Sequence, residues 1–165
     1  PDVLKTLLVI VYWTKNLSAK QEGRRTVYRI VILTVQESQK SFFTERTFKF
    51  CAGRGLFPRI EHYCDQESFF EAVRTAPPEN AVIALPGVDG LNAAEHLRAL
   101  CPTCKIIWCS DLDFSLHAFR LRIDYFLLEP VIEENFCQGL CAWFERKIPV
   151  TRSSDCNEHN KEDHS

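Results

Sequence analysis

The sequence lacks most features that mark fibrous or strongly charged chains. It contains six glycines, eight prolines and no methionine in 165 residues, and its 20 Lys plus Arg nearly balance its 22 Asp plus Glu. A net charge of -2 provides no general attraction to nucleic acid or to an anionic membrane. The absence of methionine predicts a fragment or a processed form. With 45% hydrophobic residues, the composition excludes disorder throughout, collagen and coiled coil, and predicts one globular domain with an additional tail.

No hydrophobic run is long enough to cross a bilayer. The longest, Val3 to Trp13, has about 11 residues, whereas about 20 are needed. No basic leader precedes this run and no clear cleavage site follows it, so an extra strand and a processed leader both remain open. The eight cysteines lie mostly in apolar runs, and we expect them to be reduced and buried.

From Tyr28 onward, short β-branched runs alternate with amphipathic stretches, which is typical of βα units. Asp65 and Asp89 are predicted to cap the second and third helices. Five such units predict an α/β fold with a doubly wound, five-stranded parallel sheet of flavodoxin-like order, which binds ligands beyond the carboxyl ends of its strands. The predicted strands cover 29–35, 58–64, 81–85, 105–109 and 125–128, and the predicted helices cover 38–50, 65–76, 89–100, 114–121 and 132–144.

The composition divides the chain into three parts. Residues 1–27 form an N-terminal extension, which is either an extra strand or a leader. Residues 28–147 form the α/β domain. Residues 148–165 form a polar tail, and from Thr151 onward they include no aromatic or aliphatic side chain. Such a segment buries too little apolar surface to offset its ordering entropy, so we expect it to be disordered.

Four segments of the domain resemble the receiver (CheY-like) domain of two-component response regulators, especially those of the LytTR class. They are residues 86–90 (PGVDG), 105–110 (KIIWCS), 118–119 (AF) and 124–131 (DYFLLEPV). Their order and spacing make the resemblance fairly specific, whereas any one of them alone would be weak. The resemblance covers residues 28–147.

The resemblance implies a pocket for Mg²⁺ and a phosphoryl group, which requires hard oxygen ligands and cationic support. Receivers place an acidic pair after strand one, the acceptor aspartate at the end of strand three, a Ser or Thr after strand four, and a Lys after strand five. Here these positions hold Thr34 and Val35, Val82 (four residues before Pro86), Ser110 and Glu129. If the loop before Pro86 is shorter than usual, the acceptor is simply absent.

These departures predict a degenerate pseudo-receiver without a phosphoacceptor, in which apolar side chains such as Val82 and Val35 fill the former pocket. We expect no catalytic residue, no metal and no cofactor, and hence no enzyme. Asp111 and Asp113, two residues apart, are expected to form a turn and a helix N-cap rather than a metal site.

The resemblance further implies a bacterial, cytoplasmic phosphorelay module that acts by protein-protein docking. Its partner would be a histidine kinase, a response regulator or a second copy. It would bind through the surface of the fourth helix, fifth strand and fifth helix, where we single out Phe126, Phe119 and Trp143, although burial in the core is the default for such aromatics. About 18 residues follow Lys147, too few for a nucleic-acid-binding domain. We expect neither nucleic-acid nor membrane binding by this chain.

Two alternatives remain open. One is a truncated or decaying response regulator that lost its DNA-binding domain. The other is a thiol, redox or zinc protein that uses Cys101-Pro-Thr-Cys104. A redox pair normally opens a helix, whose dipole lowers the thiol pKa, whereas this one closes a helix. A zinc site needs further ligands, for which Cys137 and Cys141 are the only regular candidates.

Overall fold

A computed structural model describes residues 28–144, in which five strands form one parallel sheet. The strands follow in the order β2-β1-β3-β4-β5, and every neighbouring pair is parallel. This order confirms the predicted doubly wound, flavodoxin-like sheet. The strands are β1 (Arg29–Thr34), β2 (Arg59–Tyr63), β3 (Asn80–Ala84), β4 (Lys105–Ser110) and β5 (Tyr125–Leu128).

Each strand is followed by one helix. Asp65 is the N-cap of the second helix, as predicted, and its carboxylate accepts a hydrogen bond from Ser68 N at 2.8 Å. The third helix begins earlier than predicted, so Asp89 lies in its first turn and Pro86 occupies the N-cap position. The helices are α1 (Glu37–Ala52), α2 (Gln66–Thr75), α3 (Gly87–Leu100), α4 (Ser115–Arg120) and α5 (Glu133–Phe144).

The sheet buries apolar side chains on both faces, as a parallel sheet covered by helices must. Because successive side chains of a strand point to opposite faces, residues of β1, β3 and β4 alternate between two cores. The first core includes Val31, Ile83 and Trp108 with residues from α2, α3 and α4. The second includes Ile32 and Ile107 with residues from α1 and α5.

Arg98, near the end of α3, connects two backbone turns at the amino edge of the sheet. Its Nε donates to Leu121 O at 2.9 Å, and its Nη2 donates to Arg122 O at 2.8 Å. Its Nη1 donates to Pro102 O at 2.9 Å and to Cys104 O at 2.7 Å. One half-buried guanidinium thus holds the α3–β4 and α4–β5 turns together.

The N-terminal extension (1–27) and the polar tail (148–165) lie outside the described residues, as do the last residues of the predicted domain. Within residues 28–144, no helix has both the length and the apolar character needed to cross a membrane.

Candidate functional site at the strand ends

The carboxyl ends of four strands meet at one edge of the sheet, which is where this fold places its ligands. The register sets Thr34 beside Ala84 and Ala84 beside Cys109. It also sets Ser110 beside Leu128. All but Leu128 are buried. The floor of the candidate site is therefore made of small, uncharged side chains.

The structure corrects the position of Val82. Val82 pairs with Ile32 on one side and Ile107 on the other, two residues before the end of β3. It is fully buried in the core against α1 and α5, and Ala84 occupies the strand end instead. The prediction placed the acceptor position four residues before Pro86. In the structure only Leu85 separates Ala84, the last residue of β3, from Pro86. Neither Val82 nor Ala84 is a carboxylate, so the strand end offers no acceptor aspartate.

Val35 is also misplaced by the sequence prediction. It was expected to fill the pocket, but β1 ends at Thr34 and the Val35 side chain is 56% exposed. Thr34 is fully buried. Its hydroxyl donates to Gln39 Oε1 at 2.8 Å and accepts from Gln36 N at 3.3 Å. Thr34 thus anchors the first turn of α1 to the end of β1.

Gln39 and Glu129 extend this contact across the mouth of the site. Gln39 Nε2 donates to Glu129 Oε1 at 2.9 Å, so a chain of side chains runs from Thr34 through Gln39 to Glu129. Three oxygen-bearing side chains converge here, but only one of them is a carboxylate, and Gln39 is hydrogen-bonded to both of the others. Glu129 stands where the resemblance implies a phosphate-binding lysine, and its carboxylate accepts a hydrogen bond from the Gln39 amide.

Sequence reasoning missed Gln39. It lies 90 residues from Glu129 in the chain, and an isolated glutamine in the first turn of a helix carries no spacing signal. A cavity of about 260 Å³ adjoins this pair, which is small beside the roughly 300 to 1,000 Å³ of typical ligand pockets. It is lined by Ser38, Gln39, Phe42, Phe43, Glu129, Pro130 and Val131.

Ser110 stabilises the loop after β4. Its side chain is buried, and its hydroxyl accepts a hydrogen bond from Leu112 N at 3.2 Å. Its carbonyl accepts from Glu129 N at 2.8 Å, which ties the end of β4 to the loop after β5. Ser110 therefore stabilises the loops after β4 and β5.

The two aspartates of the same loop form structural contacts. Asp111 Oδ1 accepts from Gly87 N at 2.6 Å and so joins the loop to the start of α3. Asp113 Oδ1 accepts from the backbone N of Ser115, the first residue of α4, at 3.0 Å. Hydrogen bonds from the side chain and then the backbone of Ser115 lower the pKa of Asp113. Among residues 28–144, no three His, Cys, Asp or Glu side chains are grouped so that they could hold a metal ion.

The aromatic residues singled out from the sequence occupy three different environments. Phe126 is partly buried against Trp108, with ring centroids 5.2 Å apart in an edge-to-face arrangement. Phe119 is 82% exposed on α4. Trp143 is 1% exposed within the core beneath α5, so its proposed role at an interface is wrong. Because Phe136, Leu140 and Trp143 recur at helical spacing, they share the face of α5 that packs on the sheet.

The Cys101–Cys104 pair lies at the amino edge, away from the strand ends. Cys101 follows the last residue of α3, and Cys104 N donates to Cys101 O at 3.2 Å. Both thiols are buried, and burial raises the pKa of each, that of Cys104 to about 12. A nucleophilic cysteine requires the opposite shift.

Comparisons with known proteins agree with this architecture. No protein-family model matches the sequence, and no curated protein matches it either. Solved structures of response-regulator receiver domains do match. One is a receiver domain from Clostridium thermocellum, with a TM-score of 0.57 and 10% identity, covering 71% of this chain and 94% of that one.

Two further neighbours have similar statistics. An orphan response regulator of H. pylori gives a TM-score of 0.56 at 13% identity, covering 74% of this chain and 100% of that one. The BeF3-activated receiver domain of DrrB gives 0.55 at 15% identity, covering 73% and 100%. At this level of identity the likeness shows a shared fold. The fold is therefore that of CheY-like receiver domains.

Proposed function

We propose that this chain is a pseudo-receiver: a receiver-like module of two-component phosphorelay signalling that acts by protein-protein docking without being phosphorylated. The observation that carries the proposal is the strand-end floor. It has Thr34 and Ala84 where a phosphorylatable site needs carboxylates, and Glu129 where it needs a cation. A bacterial, cytoplasmic regulator related to the LytTR class fits the sequence segments that resemble receivers.

The structure of the former pocket supports docking rather than chemistry. Gln39 is hydrogen-bonded to both Thr34 and Glu129. The side chains of Ser110 and Asp111 accept hydrogen bonds from backbone amides. Mg²⁺ demands near-octahedral oxygen coordination, and binding it there would require breaking these contacts, including those of the carboxylates of Asp111 and Glu129. The side chains at the strand ends therefore stabilise the loops.

The α4–β5–α5 surface remains the proposed site of partner binding. Leu116 is 60% exposed and Phe119 is 82% exposed. They are three residues apart and so lie on one side of α4. Large exposed apolar groups that lie together mark interaction surfaces. The partner would be a histidine kinase, another response regulator or a second copy of the chain.

The first test is phosphorylation. The chain is incubated with acetyl phosphate and Mg²⁺, and its intact mass is measured beside that of an ordinary receiver domain. We expect the ordinary domain to gain one phosphoryl group and this chain to gain none, because no aspartate lies at the end of β3. A stoichiometric, Mg²⁺-dependent phosphoryl addition to this chain would overturn the proposal.

The second test addresses docking. Sedimentation measures self-association and binding to histidine kinases and response regulators encoded beside this chain, with and without Mg²⁺ and beryllofluoride. We expect a complex that is independent of both additives and is weakened by Phe119→Ser. Leu100→Ser, which alters an exposed residue of α3, is the matched control. A strictly monomeric chain that binds none of these proteins would contradict the docking function.

A further inference from the structure

Acidic side chains collect at the carboxyl edge of the sheet. They lie in the loops after the strands and in the first turns of the helices, where the helix dipole favours negative charge. Two of the acidic residues are paired with cations: Glu37 with Lys40 at 3.2 Å and Glu133 with Arg46 at 3.1 Å. The acidic residues are Glu37, Asp65, Glu67, Asp89, Asp111, Asp113, Glu129, Glu133 and Glu134.

Exposed aliphatic side chains occupy the same edge. Leu112, in the loop after β4, lies beside Gly87, where an added Cβ would be 3.9 Å from its Cδ1. We call these side chains the apolar rim. Each is roughly half exposed: Val35 56%, Val88 60%, Leu112 50%, Leu128 48% and Ile132 52%.

The opposite, amino edge has the reverse charge. A cavity of about 1220 Å³ lies there, and its lining has four basic residues, Arg98, Lys105, Arg120 and Arg122, against two acidic ones, Glu79 and Asp124. The domain is therefore electrically polar, with basic groups at the amino edge and acidic groups around the apolar rim. A ligand of the carboxyl edge must combine apolar contact with positive charge.

We propose that the carboxyl edge binds a basic amphipathic helix of a partner protein. The inference rests on the proposed docking function and specifies the chemistry of the partner. An amphipathic helix presents a continuous apolar stripe with polar residues beside it, and it docks through residues spaced i, i+3, i+4 and i+7. Its apolar stripe would cover the rim, while flanking Lys and Arg side chains would face carboxylates such as Asp89 and Glu134.

Other ligands fit this edge less well. Anions are repelled by the surrounding carboxylates. A single metal ion is disfavoured because Asp111, Asp113 and Glu129 already accept hydrogen bonds from other groups of the domain. Electrostatic attraction between the acidic edge and a basic helix would accelerate association and make it sensitive to salt.

The proposal is tested with a synthetic helical peptide that carries leucine on one face and lysine on the other. Amide chemical shifts of the intact chain are recorded during titration. We expect saturable shifts in residues 87–90, 111–114 and 128–132, and weaker binding at high salt. A peptide of the same pattern with glutamate in place of lysine is the control, and it should not bind.

Variants separate the two contributions. Val88→Ser combined with Leu112→Ser should weaken peptide binding about tenfold or more, whereas Leu100→Ser should not. Asp89→Asn combined with Glu134→Gln should weaken binding and reduce its salt dependence, with Glu71→Gln on α2 as the matched control. Circular dichroism confirms that each variant is folded.

Three outcomes would overturn the inference. The peptide could bind without shifting the carboxyl edge, the rim variants could bind it normally, or the rim variants could abolish self-association and so show that a second copy covers this edge. These outcomes leave the proposed function intact if Phe119→Ser still disrupts a phosphorylation-independent complex. Phosphorylation of the chain, in contrast, would contradict the proposed function whether or not the peptide binds.

Discussion

At the scale of single residues, the Arg98 side chain links the α3–β4 and α4–β5 turns. Its guanidinium donates to four backbone carbonyls and lies 3.6 Å from Asp124 Oδ2. We predict that Arg98→Ala lowers the free energy of unfolding by about 3 kcal/mol, because partly buried carbonyls lose charged donors. Urea denaturation measures the change.

Two controls frame this prediction. Arg98→Lys keeps the charge but cannot reproduce the planar set of donors, so it should recover less than half of the loss. Arg74→Ala, at the exposed end of α2, should change stability by no more than about 0.5 kcal/mol. If Arg98→Ala were as mild as Arg74→Ala, the guanidinium would not be a structural link.

The thiols allow a second residue-scale prediction. Burial raises the pKa of Cys51 to about 11 and that of Cys104 to about 12. A raised pKa keeps a thiol protonated and unreactive at neutral pH. We therefore expect iodoacetamide to label the exposed Cys64 rapidly in the folded chain, and Cys101 and Cys104 only as fast as the domain opens.

Peptide mapping by mass spectrometry reports each cysteine separately. Raising the pH from neutral to about 9 should leave Cys104 largely unlabelled, because this pH remains well below its raised pKa. Mild urea should expose it. Rapid labelling of Cys101 or Cys104 near neutral pH would revive the thiol-enzyme alternative.

At the scale of elements, the start of α3 depends on Gly90. A Cβ atom at this position would lie 2.5 Å from Leu85 O and 3.1 Å from Trp108 Nε1. The backbone of the β3–α3 turn leaves no room for it. We predict that Gly90→Ala costs about 2 kcal/mol or more of stability, although alanine normally favours helices.

Gly53→Ala is the matched control. Gly53 ends α1 with a right-handed backbone, and an added Cβ would meet nothing closer than 3.5 Å. Thermal or urea unfolding should show little change for this variant. Equal effects of the two substitutions would show that the helix start can shift away from Leu85.

Sequence periodicity predicted the elements well because each is determined locally. The apolar strand runs and the Asp65 cap gave boundaries close to those of β1 and α2. The strand-end site was harder, because it depends on register and on long-range contacts. Val82 was misplaced because counting back from Pro86 ignores the shorter turn, and Gln39 was missed because its partner is 90 residues away.

At the scale of the whole molecule, the sheet couples two cores that share no helix. Trp108 belongs to the core under α2, α3 and α4, and Trp143 belongs to the core under α1 and α5. Successive residues of β4, such as Ile107 and Trp108, enter opposite cores. Because both cores pack on the same strands, unfolding of one core would destabilise the other.

This coupling predicts a single cooperative unfolding transition. Two variants each keep one of these tryptophans as a fluorescent reporter: Trp13→Phe with Trp143→Phe, and Trp13→Phe with Trp108→Phe. In each variant, tryptophan fluorescence and circular dichroism should give the same urea midpoint, although the two variants will differ in stability. If fluorescence and circular dichroism gave different midpoints in either variant, one face of the sheet would unfold alone, and the strands would not couple the two cores.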